Sequence, residues 1–103
     1  MRYEWDERKN RVNQRRREGI SFEIATLVFE DEHCLIVPDR ADRTGEQRWH
    51  AIGTAQIEAN TAAALLVVHV YREDLDGEEI IRIISARKAE KHERRRYQKQ
   101  EMD

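Results

Sequence analysis

The chain has 103 residues, with 19 lysines and arginines against 21 aspartates and glutamates, 39% hydrophobic and 39% charged residues, and a formal net charge of -2. That length fits one domain with one modest core, expected to span residues 1–103, and no apolar run is long enough for a membrane span. Cys34 is the only cysteine, which excludes an internal disulfide and a cysteine zinc cluster and reads as a small buried hydrophobe. The start, Met-Arg-Tyr-Glu-Trp-Asp, has no apolar core after a basic segment, so the expected location is cytoplasmic. The near-neutral total makes no case for nucleic acid, but basic residues concentrate in 8–17 and 87–99. Such blocks make either a positive face or solvated helix surfaces laced with Glu–Arg pairs.

In chain order, Arg2 to Trp5 reads as a short strand. Asp6 is a good N-cap for a helix to about Glu18, followed by Gly19 at the C′ position. That helix is almost wholly polar, with Val12 its one large aliphatic residue. Ser21 caps a second helix, Phe22 to Glu30, whose Ile24, Leu27 and Val28 form a stripe that should pack on a sheet. His33 to Val37 reads as a strand stopped by Pro38-Asp39. After a polar loop, Glu46 to Thr54 alternates as a strand, with Arg48, His50 and Ile52 on one side. Residues 56–63 read equally as a long loop or a short helical turn. The segment after Arg87 is helix-forming throughout, though Ala89 and Tyr97 are nearly its whole apolar content.

The strongest local signal is the hairpin from Ala64 to Arg87. Two β-branched runs flank Asp76-Gly77, a pair suited to a type I′ turn. A two- or four-residue loop sets odd positions of the first strand beside even positions of the second. Leu65, Val67, His69 and Tyr71 then share a face with Ile80, Arg82 and Ile84, and that face is expected to be open. The other face, with Leu66, Val68, Val70, Ile81 and Ile83, is expected to lie under helices.

His69, Tyr71 and Arg82, with Arg48 and Arg87 near, suit RNA cleavage without a metal. That reaction needs a base for the ribose 2′-hydroxyl, cations for the charge that develops on phosphorus, and an acid for the leaving oxygen. Histidine serves as base or acid near neutral pH, arginine offers a fixed donor fork to phosphate, and tyrosine stacks or positions. The bland reading is a half-buried His69 and a strand arginine paired with Glu73 or Glu79. His33, His50, His69 and His92 have no metal-ligand spacing, and no glycine run cradles a phosphate.

Six segments, in order, resemble the BrnT family, the toxin half of a bacterial type II toxin–antitoxin pair: YEWDERKN at Tyr3 to Asn10, GISFEIATLVFED at Gly19 to Asp31, PDR at Pro38 to Arg40, GEQRWHAIG at Gly45 to Gly53, LLVVHVYRE at Leu65 to Glu73 and IRIISARKAEKHERRRY at Ile81 to Tyr97. The resemblance implies an α+β fold like that of RelE-type ribonucleases, a small, mostly antiparallel sheet with helices packed on one face. It implies endonucleolytic RNA cleavage that inhibits translation and growth, with no metal or organic cofactor. It also implies a BrnA-like antitoxin as partner in a hetero-oligomer, with DNA contacted only through that antitoxin. Polar positions of the family pattern fall on Arg48, His69 or Tyr71, Arg72, Arg82 and Arg87. The resulting expectation gives catalytic roles to Arg48, His69, Tyr71 and Arg82, and substrate binding to Arg72, Arg87 and Lys88. The polar first and last helices are expected to be covered by the antitoxin. Two departures stand out: Arg17-Glu18-Gly19 replaces the usual Lys-His-Gly, and the segment from Ala55 to Ala64 is longer than usual. The first leaves open an alternative, a module of the same kind that binds antitoxin or nucleic acid without cleaving.

Overall fold

The string Asp-x-x-Gly-Glu occurs twice, at residues 42–46 and 74–78, and both copies fold into the same turn in a computed structural model that describes residues 1–102, with side chains through residue 100. In the second, the Asp74 N–H donates to the Glu78 carbonyl and the Gly77 N–H to the Asp74 carbonyl, both at 3.0 Å. The Asp74 carboxylate takes the N–H groups of Asp76 and Glu78. Asp42 does the same with Thr44, Gly45 and Glu46. Gly45 and Gly77 sit at φ +87° and +81°, the left-handed residue that closes a three-residue hairpin loop.

These turns join β2 (Leu35–Ala41) to β3 (Gln47–Glu58) and β4 (Thr61–Glu73) to β5 (Glu79–Lys88). With β1 (Arg2–Glu4), they make a five-stranded sheet in the order β1-β5-β4-β3-β2. Only β1 and β5 run parallel. The fold is α+β with a mixed, mostly antiparallel sheet.

The odd loop corrects the expected register. His69 faces Ile83, Val70 faces Arg82 and Tyr71 faces Ile81; a bulge at Val68/His69 then resets the pairing to Val68 with Ser85 and Leu66 with Arg87. Arg82 therefore shares a face with Val70 and Arg72, and His69 and Tyr71 project from the opposite one. The expected covers are likewise exchanged. The His69 face lies under α1 (Glu7–Arg16), α2 (Phe22–Thr26) and a 3-10 turn (Leu27–Glu30). Its core joins Ile20, Phe22, Ala25 and Val28 to Leu65, Val67, Ile81 and Ile83. The other face is partly covered by α3 (Lys91–Met102), whose Tyr97 packs with Ala89 on Ile52 and Leu66. Helices thus occupy both faces, not one.

Two further expectations change. Strand β2 runs through Pro38-Asp39, which is allowed because β2 is an edge strand and a residue without an N–H costs least there. Residues 56–63 form neither a long loop nor a helical turn. They complete the β3–β4 hairpin, with Glu58 paired to Thr61 and a bulge between Gln56 and Glu58.

The polar helices are held by polar ties. Asp6 caps α1 by accepting from the Arg8 and Lys9 N–H groups. Asn10, fully buried, accepts the Phe22 N–H at 2.8 Å and donates to Glu7 and Glu23. Asn13 donates to the Ala86 carbonyl at 2.9 Å and accepts the Ala86 N–H at 3.3 Å. Helix α3 is anchored by Glu93, which takes both ends of the Arg87 fork at 2.7 and 2.9 Å. Farther along, the Tyr97 hydroxyl donates to Asp31 at 2.5 Å and Gln100 to the His33 carbonyl at 2.6 Å. Docking therefore continues well past the start of the helix. Among the described residues no helix is long and apolar enough to cross a membrane.

Gly53 lets β3 approach the 3-10 turn. A Cβ there would lie 3.0 Å from both Val28 Cγ1 and the Val28 carbonyl oxygen. Gly53→Ala is expected to destabilise the fold by about 1–3 kcal/mol through overpacking, read as a lower urea midpoint with an unchanged slope.

Candidate active site

Strand alternation gathers the site. Leu66, Val68, Val70 and Arg72 of β4 share one face with Ile80, Arg82, Ser85 and Arg87 of β5 and with His50 and Ile52 of β3. Arg48, two residues before His50, falls on the same face. Helix α3 covers the Leu66–Ile52 end. The end toward the turns stays open, and there Arg72 and Arg82 converge on one carboxylate. Arg82 Nη1 lies 2.8 Å from Glu4 Oε2, and Arg72 Nη1 lies 3.9 Å from the same oxygen. Arg72 also reaches Glu46 at 3.3 Å. The Arg48 Nε is buried without an acceptor among the described residues.

Two residues along β3 from Arg48 stands a further pair, with His50 opposite Val68 of β4. His50 Nε2 is 3.1 Å from Asp39 Oδ2, with the imidazole about a quarter exposed. Burial pushes the Asp39 carboxyl up, but the Arg40 N–H and the adjoining His50 pull it further down, below the usual carboxylate range. An imidazole oriented by a carboxylate and open to solvent is a suitable proton carrier. The available signal was the parity of His50 with Arg48. Asp39 itself carries no such signal, because Pro38 reads as the end of the strand that in fact continues through it.

The remaining expected residues lie elsewhere. His69 is fully buried, edge-on to Phe29 and Tyr71 at 4.9 and 5.0 Å. Burial lowers its pKa to about 4, and its Nδ1 lies 3.3 Å from the Val67 carbonyl. It sits in the core, with its Nε2 buried and without a partner among the described residues. Tyr71 is exposed at the rim of that same face, in ring contact with Trp49 at 5.9 Å. Its hydroxyl pKa is raised by burial, then by Glu79 and Cys34. Arg87 is committed to Glu93, which raises its pKa and lowers that of Glu93. Lys88 binds Glu18 at 2.8 Å on the α1 side, so the Glu18 departure from the family pattern touches Lys88 and not the convergent arginines. Cys34 is half-buried against the main core, and burial pushes its thiol up to about 11. Among the described residues no three His, Cys, Asp or Glu side chains gather to hold a metal ion.

The family model described as "Ribonuclease toxin, BrnT, of type II toxin-antitoxin system" matches residues 5–93. The chain belongs to the BrnT family. No curated protein matches it closely enough to count as a relative. The BrnT match runs from Trp5, just after β1, to Glu93 in the first turn of α3, and so contains Arg48, His50, Arg72 and Arg82 of the open face but not Glu4. Toxins of this class act on RNA as ribonucleases and have a protein antitoxin as partner. In this BrnT chain, the arginines of the open face are the groups suited to an RNA phosphate, since a guanidinium fork matches its oxygens.

Proposed function

We propose that this chain is a metal-independent endoribonuclease that cuts RNA on the open face beside α3. The observation that carries this is the convergence of Arg72 and Arg82 on a single anionic oxygen of Glu4. Two guanidinium groups aimed at one oxygen mark where a phosphate oxygen can sit once Glu4 gives way. Arg48 lies on the same face, on β3. His50 takes the proton of the 2′-hydroxyl, which attacks phosphorus. The bond to the 5′-oxygen breaks, and that oxygen leaves with a proton from solvent. The products are a 2′,3′-cyclic phosphate and a 5′-hydroxyl. The arginines hold the charge that grows on the phosphoryl oxygens, a contribution that metal ions make in other nucleases.

The likeness to RelE-type ribonucleases belongs to this reading, supported by a small, mostly antiparallel sheet with a basic open face. The same reading includes a BrnA-like antitoxin, bound as a hetero-oligomer in the cytoplasm and carrying any DNA contact, and a single functional unit over residues 1–103; the family membership supports a protein antitoxin. Purified protein is expected to cleave RNA in EDTA and leave cyclic phosphate ends. His50→Gln is expected to lower the rate by about 10²–10⁴, the range for a lost general base. Cleavage that requires added divalent metal, or a fully active His50→Gln variant, would overturn the assignment.

A further inference from the structure

Helix α1 continues the line of β1 along the edge of β5. Strand β1 pairs with β5 only as far as Glu4 opposite Arg82. Beyond that point the edge belongs to α1, with Asn13 bonded to Ala86. Between them runs a groove of about 290 Å³ whose walls include Arg8, Lys9, Arg16, Arg17, Ile84 and Ser85. A second groove of about 270 Å³ shares Arg16 and Arg17 and extends to Arg87 and Lys88.

All four cations of the first groove are exposed. Among the described residues none of them takes part in an ion pair, whereas Arg72, Arg82, Arg87 and Lys88 each have a carboxylate partner. Four cations that are not neutralised within the chain thus line one groove beside β5. Arg8 and Arg16 stand two turns apart on one helix face, about 12 Å along the axis, which is room for more than one phosphate. The β5 wall of the groove starts at Ile84, two residues along the strand from Arg82.

We infer that the α1–β5 groove is a track for the RNA backbone, carrying nucleotides beyond the scissile phosphate. This rests on the assignment of RNA cleavage to the open face and names how the rest of the substrate is held. An acidic peptide would meet the same charges. It would find few apolar anchors, since Val12 and Ile84 are the only large aliphatic side chains on these walls, and protein interfaces rely on a buried apolar centre. A repeating phosphate backbone needs no such anchor and suits arginine forks.

The test uses the full chain and a variant with Arg8→Gln, Lys9→Gln and Arg16→Gln, substitutions at exposed sites that keep good helix formers. The probe is an uncleavable 2′-O-methyl RNA of about twelve nucleotides, long enough to leave the open face and occupy the groove at about 3.4 Å or more per nucleotide. The variant is expected to bind it about 10–100 times more weakly, with the slope of log affinity against log salt reduced by about 2, near 0.7 for each lost contact on a single strand. Cleavage of a dinucleotide, which cannot span the groove, is expected to stay at the parent rate. Unchanged binding and salt slope would overturn the track. So would a variant that keeps its RNA affinity but loses binding to a polyglutamate peptide, which would give the groove to an acidic protein. Weakened oligomer binding with no dinucleotide cleavage even by the parent would support the track while removing the proposed chemistry.

Discussion

Arg82→Ala is expected to slow RNA cleavage by about a hundredfold or more, the scale of one lost transition-state charge donor. Its effect on stability is expected to stay within about 1 kcal/mol, because the Arg82–Glu4 pair is about one-third exposed on each side and such pairs contribute little. Arg82→Lys is expected to restore only part of the rate, since an ammonium cannot present two parallel donors. The neighbouring Ile83, 1% exposed in the main core, supplies the contrast. Ile83→Ala is expected to cost about 2–5 kcal/mol through the cavity it leaves. Urea melts and an RNA assay at a temperature where both variants are folded separate the two effects. An Arg82→Ala protein that is folded and fully active would remove Arg82 from the site.

Acidification is expected to expose His69. In the unfolded chain this histidine titrates near its ordinary value of 6.5, while in the fold burial holds it at about 4. Between these values the unfolded chain takes up a proton that the folded chain refuses, so stability falls as pH drops from 6.5 to 4. At about 1.4 kcal/mol per pKa unit the loss comes to roughly 3 kcal/mol. Asp31 and Glu93, both held below their usual values, act lower, withdrawing their support as pH falls below the ordinary carboxylate range. His69→Leu is expected to flatten the upper part of the profile while leaving cleavage intact. Persistence of the full slope in that variant would mean that another group carries it.

These two residues show what the sequence made legible and what it did not. The strands of the main hairpin and the caps Asp6 and Ser21 follow from local chemistry and are present, whereas α1 ends at Arg16 with Arg17 as its C-cap, so the C′ position falls on Glu18 (φ +54°) and the left-handed Gly19 follows it. The pairing of faces depended on loop length, which Asp76-Gly77 alone left ambiguous. The repeat of Asp-x-x-Gly-Glu at residues 42–46 carried the missing information, because an aspartate three residues before the glycine ties down the turn with its own carboxylate. An odd loop moved His69 into the core and joined Arg82 to Arg72, since a one-residue slip exchanges the faces of a strand. The His50–Asp39 pair was hidden for a different reason: it joins two strands, and one of them passes through a proline.

Asn13 makes α1 behave as an extra strand without being one. Its single amide offers the Ala86 backbone a donor and an acceptor, the pair that an adjoining strand would supply. A bare edge there would invite accretion by the strand of another molecule. Aspartate could offer no donor and leucine neither partner, so the barrier to this mode of polymerisation rests on one side chain of a helix whose other faces stay free to be basic.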